Sequence, residues 1–299
     1  MIKAEKYFSD LQEFLNSPLP THTSIHIDLT ENDLGDEGIS ELSQGLDQCA
    51  NLKIFLAALR DNQISNEGML SFSSSLTKFK YLNYLVLQLE ENEIQDEGAK
   101  TLGLALEKMI NLTDLYLLLP SNPLRDQGVY DLGSSLAKLE NLNNLILSFN
   151  DQSLGELSAK GLSLAIGKLT KLQNLSLDLS ENQIDDIGSA ELSTALSNCK
   201  NLKILLIDLG VNIIGNQGAS AIAQGISNCL NLFSLTLSLS MNSVSEEGAL
   251  SIVSEIKNCK NLQSLILCLS NNELDQQVCQ KLRRRALKFQ KLTQANIDL

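Results

Sequence analysis

LQNLSLDLSENQIDDIGSAELSTALSNC, residues 172–199, changes its hydrophobic period once, and that change decides the fold. Leu172, Leu175, Leu177 and Leu179 end in a two-residue alternation, the mark of a strand with one buried face. Asn182 and Ile184 follow. Asp186, Gly188, Leu192, Leu196 and Cys199 then advance mostly by three or four, the spacing of an amphipathic helix. The stretch therefore predicts a strand, a turn and a helix.

The same unit recurs every 30 residues in both directions. Asn stands at 32, 62, 92, 122, 182, 212, 242 and 272, Gly at 38, 68, 98, 128, 188, 218 and 248, and Leu at every thirtieth position from 52 to 292. Nine units fit between His22 and Lys291, and a strand-like piece runs on to Leu299. A lone unit cannot fold: about eight apolar positions contribute on the order of 2 kcal/mol each, against a backbone entropy cost of ~1 kcal/mol or more per ordered residue. Stacked units cover one another and share a continuous core. The recurring Asn reads as a buried amide that satisfies backbone groups of the adjacent turn. Asp36, Asn66, Asp96, Asp126, Asp186 and Asn216 occupy the expected helix N-cap position in six of the nine units. The Gly two residues on is expected to let the next coil approach closely.

The frame L-x-x-L-x-L-x-L-x-x-N-x-I-x-D-E-G-A-x-x-L-x-x-x-L, nearly complete in residues 82–106, resembles the ribonuclease-inhibitor class of leucine-rich repeats. The unit is about two residues longer before the Asn than the common form. In that it resembles 30-residue arrays of ciliate proteins, some of them linked to kinase domains. The resemblance implies an α/β leucine-rich-repeat solenoid, an open horseshoe with parallel strands on the concave face and helices on the convex face. It implies no substrate. Residues 1–21 read as a capping helix and turn, with Tyr7, Phe8, Leu11, Phe14 and Leu15 on an amphipathic helix that stops near Pro18 and Pro20, and residues 22–299 as the repeat domain.

Composition narrows the function. A formal net charge of −13 excludes nucleic acid or an anionic membrane as the main partner and suits a basic protein. No apolar run is long enough to span a bilayer and the start lacks a signal-peptide core, so a cytoplasmic location is expected, with the ciliate resemblance pointing to a cytoskeletal or ciliary setting. Cys49, Cys199, Cys229 and Cys259 share one phase with Phe79, Met109, Leu139 and Leu169, which makes them buried structural thiols rather than disulfide or metal ligands. Cys268 falls in an outward column and is the thiol expected to react first. His22 and His26 are the only imidazoles, and no nucleophile accompanies the His26–Asp28 pair. No phosphate-binding loop, dinucleotide fingerprint, kinase signature or HExxH occurs. The reading is a non-enzyme with no cofactor, metal or small-molecule substrate.

Strand positions between the buried leucines point outward. Ile54, Leu56, Ala58, Tyr84, Val86, Tyr116, Leu118 and Ile146 make these columns apolar in units two to five, whereas Asn174, Ser176, Asp178, Asp208, Ser234, Thr236 and Ser238 make them polar later, interrupted by Ile204 and Leu206. Glu31, Asp61, Glu91, Asp151 and Glu181 border them as an acidic row. An exposed apolar patch with a polar rim marks an interaction site, so Ile54, Leu56, Tyr84, Val86, Tyr116, Leu118 and Ile146 are the expected protein-binding residues, outside the core and dispensable for stability. Lys281, Arg283, Arg284, Arg285, Lys288 and Lys291 make the last helix basic, and Arg283, Arg284 and Arg285 form a second candidate contact. The fifth unit breaks the frame with Phe149 at a Leu site, Gln152 for Asn and Ser158 for Gly, by drift or through a bulge at a contact site. The function expected is a protein-interaction scaffold. A regulator resembling the Ran GTPase-activating proteins, whose acidic tail is missing from this basic end, and an inhibitor of the ribonuclease-inhibitor type are the alternatives.

Overall fold

The structure, a computed structural model, describes residues 4–286, 289 and 291–299. Two compact units divide at the irregular fifth repeat, Met1–Gln152 and Ser153–Leu299. The first contains β1 (Lys6–Phe8), α1 (Leu11–Leu15), β2 (Ser24–Asp28), α2 (Gly35–Leu46), β3 (Ile54–Ala58), α3 (Asn66–Leu76), β4 (Tyr84–Gln88), α4 (Asp96–Leu106), β5 (Asp114–Leu118), α5 (Asp126–Leu136) and β6 (Asn144–Ser148). The second contains α6 (Glu156–Lys168), β7 (Asn174–Asp178), α7 (Asp186–Leu196), β8 (Ile204–Asp208), α8 (Asn216–Ser227), β9 (Ser234–Ser238), α9 (Glu246–Ile256), β10 (Ser264–Cys268), α10 (Gln276–Ala286) and β11 (Gln294–Asp298). Within each unit consecutive strands pair in parallel, one helix per strand, the α/β leucine-rich-repeat architecture that the resemblance implies.

Register follows the period without slippage. Phe55, Leu85, Leu115 and Leu145 are successive partners in the first unit, and Leu175, Leu205, Leu235 and Leu265 in the second, all buried. Backbone pairing runs on past each strand, as in Leu59 N–H to Gln88 O (2.8 Å) and Asp61 N–H to Glu90 O (3.0 Å). That continuation is what the two extra residues before the Asn provide.

The Asn row does what its recurrence requires. Asn62 Oδ1 accepts from the N–H groups of Asn32 (3.1 Å) and Leu34 (3.2 Å), and its Nδ2 donates to Leu29 O (2.7 Å) and Arg60 O (3.0 Å). From Asn62 onward each such amide satisfies the coil before it, whereas Asn32 is exposed and donates to Thr30 O of its own coil. Gln152, at the Asn phase of the irregular repeat, still donates to Leu119 O, its extra methylene spanning the same gap. β6 keeps the five-residue length of its neighbours, so the fifth repeat carries no bulge in its strand. A second asparagine row tightens the helix-to-strand loops: Asn111, Asn141, Asn201, Asn231 and Asn261 each donate to the carbonyl 31 residues earlier.

The capping assignment needs correction. Asn66, Asp96, Asp126, Asp186 and Asn216 are the first helical residues, and the N-caps precede them as Ser65, Gln95, Arg125, Asp185 and Gly215. Asp36 lies in the first turn of α2, whose N-cap is Leu34. Where their bonds are described, the row's side chains reach forward to the next coil. Asp36 Oδ1 accepts from Ser65 N–H (2.8 Å) and Gly68 N–H (2.9 Å); Asp186 Oδ1 accepts from Gly215 N–H (2.7 Å) and Gly218 N–H (2.8 Å). These are two of the unpaired amides of a helix N-terminus. The row thus caps the neighbour's helix rather than its own. Where Glu156 replaces the short acid, α7 is capped locally instead, Asp185 accepting from Ile187 N–H (3.0 Å) and Gly188 N–H (2.9 Å). The forward reach also explains the glycine: a Cβ on Gly128 would lie 2.6 Å from Asp96 Cα.

The front end also differs from expectation. Lys6–Phe8 form a strand on the edge of β2, the α-helix is confined to Leu11–Leu15, and Leu19–Thr21 make a 3-10 turn. Asp10 fixes the boundary, its carboxylate accepting from Glu13 N–H at 2.7 Å. Tyr7 and Phe8 therefore belong to the sheet, Phe8 packing on Phe14 and His22. At the far end β11 adds to β10 in parallel, and Val278 N–H is taken by Asp275 Oδ1 (2.8 Å) where the glycine is lost. Lys288 lies outside the described residues.

Glycine at the close approach should be irreplaceable. Gly128→Ala is expected to cost about 2 kcal/mol or more, because the obstacle includes backbone. Gly167→Ala, whose Cβ meets nothing nearer than 3.6 Å, should be neutral or stabilise by up to ~1 kcal/mol through helix propensity. Paired urea denaturation curves of the two variants check the contrast.

Candidate functional site

The outward columns of β3–β6 lie side by side in register. One row runs Ile54, Tyr84, Asp114, Asn144; the next Leu56, Val86, Tyr116, Ile146; the third Ala58, Gln88, Leu118, Ser148. Parallel strands are spaced by about 4.8 Å, so large neighbours in a row shield each other. Tyr84 is only 2% exposed and Leu56 is buried, while Ile54, Val86, Tyr116, Leu118 and Ile146 are half-buried. The Tyr84 and Tyr116 rings lie 5.4 Å apart at 40°. The expectation that all seven stand exposed and outside the core is thus corrected: Tyr84 and Leu56 are buried and the other five are half-buried. Alternation gives the direction of a side chain, whereas exposure depends on the flanking coils.

The acidic border has a backbone origin. Glu31, Asp61, Glu91, Asp151 and Glu181 all sit at φ between 53° and 60°, a left-handed turn position shared with Ser121, Val211, Met241 and Asn271. The row still presents negative charge. Only Glu91 among its members has a described ion pair, with Arg60 at 2.5 Å. Between that pair and the apolar rows stands Glu90, half-buried, its carboxyl pushed above the ordinary range by burial and restrained by its backbone hydrogen bond and by Arg60.

The remaining candidates are separate from this face. Arg283, Arg284 and Arg285 are exposed on α10, while neighbouring Lys281 pairs with Glu246 at 2.6 Å. His22 Nε2 lies 2.7 Å from Ser17 Oγ, but that hydroxyl donates to Phe14 O (2.6 Å). The imidazole therefore donates to the serine and does not activate it. His26 packs edge-on against Tyr7, whose hydroxyl donates to Asp28 Oδ2 at 3.3 Å. Among the described residues no group of three His, Cys, Asp or Glu is placed to hold a metal ion, and no helix is long and apolar enough to cross a membrane.

On the strand face of Ser153–Leu299 the sequence reading undervalued two residues. Ile204 pairs with Asn174 and Ser234, and Leu206 with Ser176 and Thr236. Small polar flanks leave both apolar side chains exposed, more so than any of the seven residues of the first unit. The signal was present as an interruption, a large apolar residue between small polar ones at the same phase.

Cys49, Cys199, Cys229 and Cys259 are buried, and each donates to a backbone carbonyl, as Cys229 Sγ does to Leu196 O. Burial pushes the first three thiols up to about 12 and Cys259 to about 11, from an ordinary value of 9.0. A rise of three units lowers the thiolate fraction by roughly a thousandfold at neutral pH. Native labelling of these four should therefore be slow until denaturant is added, with half-buried Cys268 ahead of them. Because the folded values are raised, their contribution to stability is complete below pH 9 and is lost as pH rises toward 12. A chemical-denaturation midpoint that falls across that window checks the sign.

A family model described as "Leucine Rich repeat" matches residues 25–43, 82–103 and 171–193. All three segments end at one phase of the 30-residue unit, at Ser43, Gly103 and Ser193. A comparison with curated proteins finds no match. Among solved structures, an internalin (inlF) from Listeria monocytogenes str. 4b F2365 is 19% identical over 84% of this chain and 82% of its own, with a TM-score of 0.32. The matched segments lie in the frame of the strand-and-helix coil seen on both sides of residue 152, and the coils have the leucine-rich-repeat fold.

Proposed function

We propose that this protein is a non-catalytic interaction scaffold that receives a protein partner on its strand face. The observation that carries the reading is the in-register apolar surface of β3–β6, where Ile54, Val86, Tyr116, Leu118 and Ile146 stand half-buried in rows that include buried Tyr84 and Leu56. The repeat core does not need an aromatic at position 116: the same column holds Ser176, Thr236 and Ile266 in other coils. Rigid aromatic anchors surrounded by smaller contacts are what a binding surface uses. The acidic turn row suits a basic partner and sets encounter rate and salt dependence. Residues 1–21 close the front of the array, and residues 22–299 form the repeat domain that presents the face. The long form of the ribonuclease-inhibitor-like repeat supports a place in a cytoskeletal or ciliary assembly.

The test is affinity purification from native cells with the wild-type chain and with Tyr116→Ser/Ile146→Ser. A protein retained by the wild type should be weakened by on the order of 2–4 kcal/mol in the double variant. Tyr84→Ser, by contrast, should cost roughly 3 kcal/mol of stability, since it opens a buried site. Undiminished binding by the double variant would count against the strand face, and loss of binding on replacing Arg283, Arg284 and Arg285 would move the site to α10.

A further inference from the structure

A group of exposed apolar side chains lies on and just after β8 in the second unit. Along one coil, Ile204 (49% exposed), Leu206 and Val211 lead to Ile213 (61%), and Met241 (52%) stands beside Val211 on the next coil, where Val211 N–H donates to Ser240 O at 2.8 Å. Together they form a strip that runs from β8 into the turn after it. Nothing in the repeat accounts for them. Val211 is the clearest case, because it holds a left-handed φ of 54°. Other coils fill that position with Glu, Asp, Ser, Asn or Met, whereas a β-branched residue is strongly disfavoured there. An apolar side chain that is both exposed and held against its backbone preference points to use rather than packing.

The border of the strip is negative. Asp178 and Asp208 are in-register partners on β7 and β8, which sets two carboxylates side by side about one strand spacing apart. Asp208 accepts from Gly210 N–H (2.9 Å), and Asp178 from Ser180 N–H (3.0 Å) and Oγ (2.7 Å). Glu181 is exposed in the same turn row as Val211. Neither Asp208 nor Glu181 has an ion pair among the described residues. Lys203 lies at the opposite end of β8, donating to Gln173 Oε1 at 2.8 Å.

We propose that this strip docks a peptide segment of another protein whose apolar side chains are bordered by lysine or arginine. The apolar residues supply the contact area, and the cations settle over Asp208 and Glu181. A second copy of this chain does not match: the basic helix α10 exposes Arg283, Arg284 and Arg285 but buries its apolar residues Val278, Leu282 and Ala286. An anionic membrane or nucleic acid would meet the acidic border. The inference rests on the reading of the chain as an interaction protein but not on the patch around Tyr116.

The experiment selects binders from a random dodecapeptide display library on the full chain, then measures the enriched peptides by fluorescence anisotropy. Enriched peptides should combine apolar residues with Lys or Arg, weaken with added salt, and bind at least about tenfold more weakly to Ile204→Ser/Ile213→Ser. Val211→Asn gives the sharpest readout: it suits the left-handed turn, so the melting temperature should hold or rise while affinity falls. A structural role alone would move the two together. Peptides lacking basic residues, affinities unchanged in all three substitutions, or a strip-dependent dimer in sedimentation would overturn the proposal. Peptides that lose affinity only with Tyr116→Ser/Ile146→Ser would overturn it while leaving the scaffold reading intact. No enrichment above an uncoated control would count against both.

Discussion

Neighbouring coils of this protein satisfy one another's backbone groups. The Asn side chain of one coil reaches back to the N–H and C=O groups of the coil before it, as Asn62 does to Asn32, Leu34 and Leu29. The Asp or Asn opening a helix reaches forward to cap the first turn of the next, as Asp186 does for Gly215 and Gly218. Buried amides left without these partners would each cost about 1–3 kcal/mol. The 30-residue period is therefore enforced by polar chemistry as well as by the hydrophobic core. An insertion between two coils would misalign both sets of bonds and bring a Cβ or backbone atom into the gap kept open by the glycine.

The constraint explains which parts of the structure were legible in the sequence. Strand, helix, parallel order and register follow from a single change of hydrophobic period repeated without slippage, because a one-residue slip would expose Leu175, Leu177 and Leu179 together. The buried Asn row was legible because an amide recurring among leucines must find partners. The direction of the Asp bond was not. Residue type and spacing place Asp186 at a helix start, but whether its carboxylate turns to its own helix or to the neighbour's is decided by inter-coil distance. At the front, Tyr7 and Phe8 read as helical from apolar spacing, yet the free edge of β2 offered backbone partners that an isolated turn of helix could not match.

The candidate surface shows the same division. Alternation correctly turned Tyr84 and Ile204 to one side of the sheet. It could not tell that Tyr84, between Ile54 and Asp114 and against Tyr116, is covered, while Ile204, between Asn174 and Ser234, stands clear. In a parallel sheet of identical coils, exposure belongs to a row of three residues from three repeats. Reading rows rather than strands moves the weight of the apolar surface from the aromatic patch toward the strip around Val211, and it identifies the acidic turn positions as left-handed backbone sites first and as charge second.

The most direct measurement of the inter-coil account is native-state hydrogen exchange in the wild type and in Asp186→Ala. The account predicts that the Gly215 and Gly218 amides, one coil ahead, lose protection in the variant. The Ile187 and Gly188 amides, held by Asp185, should keep theirs. Loss of protection at Ile187 and Gly188 with Gly215 and Gly218 unchanged would show that the acid caps its own helix, and would contradict the account.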